Sequence, residues 1–420
     1  MQQLSVTPGR SLVRSWLGGR LAIWIAFVLV HALLIWLNLN APGAPLGDVK
    51  GVYRDWAMLA ASELQIRMGI DTPWVYPILA FLPITGAWVL GRDAYPYTWL
   101  AMVTVLNAVA LEVLLGRGVF ARGRRWAGWF WVVFLGLLGP IALGRLDTVT
   151  VPIVIIGLLY ALGRPNVAAV LLTIAAWVKV WPAAVLAALV IVSGRRRLIV
   201  TVAIALSAIV VSVSLVAGSG FGNAFGFVLE QSDRGLQVEA PMAVPWLWAI
   251  VLHIPGVMIK FSPDILTFQI EGPGAGVAAR LTTPLLALGT LVLLWFGIRA
   301  ARRGAHAAEL LVPLSLGFVT MLMLCNKVGS PQFVSWLAAP VILGIVLHRR
   351  KSLTPVILVL AIAALTQGIF PYVYRWLLWG HMGMVMLVTA KAMLLAILLG
   401  WAIRSVWHAG RAPRLVSEGE

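Results

Sequence analysis

The sequence predicts an all-α polytopic membrane protein of about twelve transmembrane helices, with re-entrant or interfacial helices added on its outer face. Three observations predict it. Hydrophobic residues make up 61% of the 420 residues and charged residues 11%, where a soluble domain carries roughly 25% charge. Apolar runs of about 15 to 20 residues recur from end to end, at a mean hydropathy of +0.95. The basic residues, which give a net charge of +17, fall in short clusters between those runs. That is the positive-inside pattern, not a nucleic-acid-binding stripe, so no nucleic acid partner is expected. Residues 1–420 read as a single integral membrane domain, a monomer whose surroundings are membrane lipids.

The elements follow in chain order. Arg10, Arg14 and Arg20 precede an apolar run over 21–39. That run is too long for a signal peptide and no small-residue cleavage site follows it, so it reads as a retained first span. Further basic clusters occur at Arg117/Arg122/Arg124/Arg125, Arg164, Arg195/Arg196/Arg197, Arg299/Arg302/Arg303, Arg349/Arg350/Lys351 and Arg404/Arg411/Arg414. They mark the cytoplasmic side, and an even number of crossings must separate consecutive clusters. Between Arg164 and Arg195 the only charge is Lys179. One helix of that length would be about 45 Å long against about 30 Å of hydrocarbon. Two short helices meeting near Lys179 and Pro182 are therefore expected.

The same parity puts Asp147 outside, between spans 126–144 and 148–163. It puts "NKVGSPQ" (Asn326 to Gln332) outside, between 310–325 and 333–347, and Arg375 outside, between 352–370 and 383–403. Two Pro- and Gly-rich runs, 74–91 and 241–259, break the parity if they cross. They are expected to be re-entrant or interfacial on the outer side, which leaves both termini cytoplasmic. If both cross, the count rises to about fourteen and 92–240 inverts. Residues not used to build this topology agree with it: all seven Asp, with Glu63, Glu230, Glu239 and Glu271, fall outside, eleven of the fifteen acidic residues. The outer loops 40–96 and 218–280 are the longest, and long loops carry function. Chemistry is expected on the extracytoplasmic face.

In the first outer loop, "GDVKGVYRDWAMLAASELQ" (Gly47 to Gln65) opens a helix expected to lie in the interface from Val49 to Gly69. Val52, Trp56, Leu59, Leu64 and Ile66 supply its apolar side, and Lys50, Arg54, Asp55 and Arg67 its polar side. Asp48 sits directly before it, where it either caps the helix or does chemistry. Asp55 reads as a solvated residue paired with Arg54 or Arg67. Lys179, Lys327, Arg375 and Arg145 lie at outer helix ends, where a cation snorkels to headgroups or holds an anion. Arg234, Gln237 and Glu239, near Trp246 and Trp248, suit sugar hydroxyls or simply a solvated loop with an aromatic belt. Lys391, inside the last span, calls for a charge partner or a cavity wall, and His31 reads as a helix-packing residue. The single Cys325 excludes an intrachain disulfide. No His pair has zinc-ligand spacing and no Asp-x-Asp pattern occurs, so no metal or cofactor is expected.

These stretches resemble a family. "GDVKGVYRDWAMLAA" followed by "TPWVYPILAFLPI" is similar to the opening of the DUF2029-type actinobacterial membrane glycosyltransferases, of the glycosyltransferase-C fold class. These include polyprenyl-phosphate-mannose-dependent mannosyltransferases of phosphatidylinositol mannosides and lipomannan, and related arabinofuranosyltransferases. There, an Asp in the first outer loop, followed by Tyr and then by a Tyr-Pro-Pro run, is the catalytic base. Asp48 and Tyr53 match that pattern. "VYPIL" (Val75 to Leu79) has Pro77 but carries Ile78 where a second Pro is usual. "AAWVKVWP" (Ala175 to Pro182), "DRGLQVEAPMAVPWLW" (Asp233 to Trp248) and "NKVGSPQFVSWL" (Asn326 to Leu337) resemble later stretches in the same order.

The resemblance implies an inverting transfer of a sugar, mannose first and arabinofuranose second, from a polyprenyl-phosphate donor to a glycolipid or lipoglycan acceptor. It implies Asp48 as the base and Lys179, Lys327, Arg375 and Arg145 as donor-phosphate ligands. Tyr53, Asp55, Tyr76, Arg234, Gln237, Glu239, Asn326 and Gln332 would hold substrate. A lipid-linked-sugar flippase or transporter shares the composition. It would show paired internal repeats, and the halves 1–210 and 211–420 show no evident similarity.

Overall fold

Hydrocarbon offers a backbone no partner but itself, and runs of Leu, Val, Ala and Ile answer that constraint by forming helices. In the computed structural model, which describes residues 19–116, 121–230, 234–263 and 265–411, helix is the dominant element. Arg10, Arg14, Arg117, Arg414, Asp233 and Asp264 lie outside the described residues. Among the described residues, eight helical segments are long and apolar enough to cross a membrane, and five shorter apolar ones accompany them.

Helix α1 (Arg20–Asn40) is the expected first span. His31 on α1 accepts from the Asn107 amide at Nε2 (3.2 Å) and gives its Nδ1 proton to the Phe27 carbonyl (2.9 Å), a buried packing pair as expected. The first outer loop then forms a π-helical turn (Val49–Tyr53) that runs into α2 (Arg54–Ala61). The expected interfacial helix therefore stops eight residues early. Leu64 and Ile66 continue the apolar spacing, but the Ser62 hydroxyl closes on the Leu59 carbonyl (2.8 Å), and Gln65 takes a left-handed φ of 48°. Arg67 turns to clasp Asp71 (2.9 Å) and not Asp55.

The run 74–91 is broken into a 3₁₀ turn, α3 (Phe81–Gly86) and another 3₁₀ turn. It bends at Gly91 into α4 (Gly91–Leu115). The Tyr95 hydroxyl donates to the Ile84 carbonyl (3.0 Å), so the broken segment packs on the first turns of α4. The chain continues with α5 (Ala121–Leu138), α6 (Asp147–Tyr160), α7 (Pro165–Val178), α8 (Pro182–Val192) and α9 (Arg196–Val216). The charge-free stretch around Lys179 is the expected pair of short helices, because Pro182 cannot continue α7 and starts α8 instead.

The second outer loop holds two single turns, α10 (Phe221–Ala224) and α11 (Gly226–Leu229). It then holds α12 (Val244–Val251) and a β-hairpin, β1 (Met258–Ser262) paired antiparallel with β2 (Thr267–Glu271). The hairpin is the departure from an all-α reading. Its strands alternate apolar and polar residues with period two, and Lys260 pairs across it with Glu271 (3.1 Å). The chain closes with α13 (Ala275–Arg302), α14 (Ala307–Leu324), a 3₁₀ segment (Pro331–Leu337), α15 (Ala338–His348), α16 (Leu353–Ile369), α17 (Tyr374–Leu378) and α18 (Met382–Ala409).

The main core lies where α4 to α8 meet α14, α15, α16 and α18, with Trp99, Trp131 and Phe134 wholly enclosed. A second core, with Leu247, Ile270 and Leu377, sits under the second outer loop. The α1 and α4 ends away from Asp48 are joined by an Arg20–Glu112 ion pair, and Lys351 pairs with Glu309 (2.9 Å) at the base of α14. The sequence assigns all four residues to the cytoplasmic side.

Candidate active site

The connection between α5 and α6 brings Arg145 and Asp147 to the same end of the bundle as the first outer loop. Asp48 is not a cap. It has helical angles (φ −62°, ψ −37°) and its side chain makes no capping bond. Its Oδ2 lies 3.0 Å from Arg145 Nε instead, with the Asp48 side chain 40% exposed. Arg145 is buried and aimed by three contacts: Nη1 donates to the carbonyls of Pro45 (2.7 Å) and Gly144 (2.8 Å), and Phe370 lies under the guanidinium at 5.8 Å. The loop before Asp48 is pressed onto that same region. Gly43 has a φ of 81°, and a Cβ there would collide with the carbonyl of Pro371. A wide π turn in the helix that follows is a feature that often accompanies functional sites.

Tyr53, one turn after Asp48, is fully buried, and the Leu146 amide donates to its hydroxyl (3.3 Å). Burial pushes this phenol well above its ordinary value, and Tyr76 and Asp48 push the same way, so it stays a neutral hydrogen-bonding group. Tyr53, Trp56, Trp74 and Tyr76 form an aromatic wall with ring centroids 5.4 to 6.4 Å apart. "DTPWVYPIL" thus supplies a face of the site as well as packing.

Lys179 caps α7 from the far side of that wall. Its ammonium lies 4.3 Å from the centre of the Tyr76 ring and 3.6 Å from Asp147 Oδ2, longer than a hydrogen bond. It also lies within electrostatic reach of Arg234 and Asp48. Asp147 is 1% exposed, and its other oxygen accepts from Trp336 Nε1 at 2.7 Å. Trp336 stacks on Trp181 (5.6 Å, 7°), whose own indole donates to Thr150 (2.9 Å), so α6, α8 and the Pro331–Leu337 segment share one joint. Arg234 has a buried Nε with no partner among the described residues. Burial lowers its pKa from the ordinary value, opposed by Tyr76 and Glu230. Three cations, Arg145, Lys179 and Arg234, therefore stand with two carboxylates, Asp48 and Asp147.

Other expected residues fall elsewhere. Asp55 is exposed and pairs with Arg54 (3.6 Å). Glu239 is 5% exposed and committed to Lys391 (3.0 Å), which thereby has a charge partner, with Tyr374 hydrogen-bonded to the same carboxylate. Burial and Glu239 together raise the Tyr374 phenol. Gln237 is buried and its amide donates to the Lys327 carbonyl (2.9 Å). Asn326 accepts from the Val328 amide (2.9 Å) to form a turn, and the Gln332 carbonyl accepts from Ser335 (2.7 Å). The Gln237–Lys327 bond ties the second outer loop to "NKVGSPQ", and the Glu239–Lys391 pair ties it to α18. Trp246 donates to Pro273 (3.0 Å) and Trp248 to Thr389 (3.0 Å). Arg375 is exposed on α17.

Sequence reasoning placed Asp147 outside but gave it no role. Its signal was rarity: it is one of seven Asp in 420 residues, sited between apolar runs. Two concave surfaces occur at the opposite end, around Trp407, away from this group. No protein-family model matches this chain, and no curated protein sequence matches it.

Proposed function

We propose that this protein is a membrane glycosyltransferase. It moves a sugar, mannose in the leading form of the proposal, from a polyprenyl-phosphate donor to a hydroxyl of a glycolipid or lipoglycan, on the extracytoplasmic face. The observation that carries the reading is a half-exposed carboxylate, Asp48, held 3.0 Å from a buried arginine and grouped with Lys179 and Arg234. The transfer needs that combination. One group must take the acceptor's proton, and fixed cations must receive the charge that develops on the departing phosphate.

In this mechanism Asp48 accepts the proton as the acceptor oxygen attacks the anomeric carbon. The new C–O bond forms opposite the bond to phosphate, and the electron pair of the broken bond leaves on the phosphate oxygen. A single displacement inverts the anomeric centre. Arg145, Lys179 and Arg234 are disposed to meet the phosphate. The aromatic wall of Tyr53, Trp56, Trp74 and Tyr76 offers ring faces to a sugar.

The helix lengths support a donor that stays in the bilayer. Helices α6 and α7 have 14 residues each, or about 21 Å, against about 30 Å of hydrocarbon. If they start at the cytoplasmic boundary at Arg164, Asp147 and Lys179 lie below the outer surface, where a lipid-borne phosphate would sit. Counting α6, α7, α8 and α16 with the eight long segments gives about twelve crossings with both termini cytoplasmic. The segment Pro241–Val251 is left on the outer face by the parity of the basic clusters.

The test supplies labelled polyprenyl-phosphate-mannose to membranes carrying the protein. A labelled glycolipid that disappears with Asp48→Asn is expected. Absence of labelled product from wild-type membranes, with mannosyl and arabinofuranosyl donors alike, overturns the proposal.

A further inference from the structure

The end of the bundle opposite Asp48 carries a group of arginines that the proposed reaction does not use. Arg299, near the end of α13, has its guanidinium 5.4 Å from the centre of the Trp295 ring and 4.5 Å from that of Trp407 on α18. Arg411, just beyond α18, lies 4.5 Å from the same Trp407 ring. The two guanidinium carbons are thus no further apart than twice that distance. Arg303 lines the same notch, together with Phe296 and Gly410. The helix ends close tightly here, since a Cβ on Gly410 would be 3.0 Å from Ala300. None of Arg299, Arg303, Arg404 or Arg411 has an acidic partner among the described ion pairs.

Arginines at helix C-termini are ordinarily explained by the helix dipole, or by snorkelling to the surface. Neither explanation requires two guanidiniums to converge on one indole. Aromatic stacking holds them beside one indole, and an anion that reaches both relieves their mutual repulsion. A second feature identifies that anion's carrier. An apolar groove of about 400 Å³, lined by Phe296, Gly400, Ile403, Arg404 and Trp407, adjoins the notch and shares Phe296 and Trp407 with it. It runs along the flank of α18, where Met393 and Ile397 are also exposed. A free phosphate has no use for such a groove, whereas an acyl chain does.

We propose that this notch and groove bind an anionic phospholipid, its phosphate on Arg299 and Arg411 and one chain along Gly400 and Ile403. Basic pockets between helices on the cytoplasmic side are a known mode of headgroup recognition. The site stands apart from the proposed transfer reaction and does not depend on it.

Native mass spectrometry of the full-length protein in detergent tests this, with dioleoyl-phosphatidylglycerol as probe. Glycerol 3-phosphate and dioleoyl-phosphatidylcholine are run beside it. Wild type should retain one phosphatidylglycerol at least tenfold more tightly than either comparison molecule. Arg299→Gln/Arg411→Gln should lose that difference, while Arg195→Gln/Arg197→Gln, with the same charge change at the exposed start of α9, should keep it. Gly400 has open space where a Cβ would go. Gly400→Leu puts apolar bulk into the groove while leaving Arg299 and Arg411 unchanged and should also weaken retention about tenfold, so the conclusion does not hang on the arginine variant's folding. Equal loss in both arginine pairs overturns the proposal, as does glycerol 3-phosphate binding as tightly as the lipid, or full retention in Gly400→Leu.

Discussion

At the residue scale, the two readings of Asp48 separate cleanly. A capping Asp has extended angles and gives an oxygen to an amide one turn on. Asp48 has helical angles and gives an oxygen to Arg145. Asp48→Asn should therefore cost little thermal stability while transfer falls by about 10²-fold or more. Asp55→Asn, exposed and paired only with its neighbour, should change transfer less than about twofold, within the small worth of a surface pair. Full transfer in Asp48→Asn, measured as labelled product per protein, would remove it as the base. Lys179 is held by an aromatic face and by a carboxylate at 3.6 Å. Lys179→Ala should weaken donor binding about tenfold or more and Lys179→Arg should recover part, by analogy with other charge-assisted phosphate contacts. Unchanged donor affinity in Lys179→Ala, read by isothermal titration, would return it to a purely structural role. Lys179 stood out in the sequence as a charge isolated in apolar surroundings, and Asp48 as one of only seven Asp, placed at the start of a long outer loop. The role of Asp147 was not legible, since its meaning comes from Lys179 and Trp336, which only the fold brings to it.

At the element scale, what could be read from the sequence followed the strength of the physical constraint. The α7–α8 pair was legible because a long charge-free stretch with one Lys and one Pro cannot be a single span. The end of α2 was not, because apolar spacing persists past the turn that stops it. Nor was the β1–β2 hairpin, whose five-residue strands adjoin an apolar run that hides their alternation. The link between the second outer loop and α18 was half legible: Lys391 called for a partner, but nothing local named Glu239. That pair is buried on both sides, 6% and 3% exposed. Lys391→Met leaves a carboxylate without its cation and should cost about 3–5 kcal/mol, seen as a lowered midpoint in thermal unfolding. Glu239→Gln/Lys391→Met should regain most of the loss, since no charge is then left buried. A double variant no more stable than Lys391→Met would show that the tie is not electrostatic. The neighbouring loop is equally constrained, as a Cβ at Gly329 would overlap the backbone of Glu239 and Ala240.

At the scale of the whole molecule, charge sorts the two ends. One end holds Asp48, Arg145, Asp147, Lys179 and Arg234, and the other holds the arginine clusters with the Arg20–Glu112 and Lys351–Glu309 pairs. In the proposed topology the positive-inside rule assigns the second end to the cytoplasm. The Asp48–Arg145 contact favours the twelve-span arrangement, because inverting 92–240 alone would put two groups that lie 3.0 Å apart on opposite sides of the membrane. The competing topology, in which both cross, inverts 92–240 and exchanges the sides of two positions that tolerate a new side chain. Gly194 and Gly222 each have open space where a Cβ would go. In a Cys325→Ala background, Gly222→Cys should react with an impermeant maleimide in intact cells, and Gly194→Cys only after permeabilisation. The inverted topology predicts the opposite for both. Labelling of Gly194→Cys from outside, with protection of Gly222→Cys, would therefore do more than revise a count: it would carry Arg145, Asp147 and Lys179 to the cytoplasmic face, away from the lipid-linked donor that the proposed reaction requires.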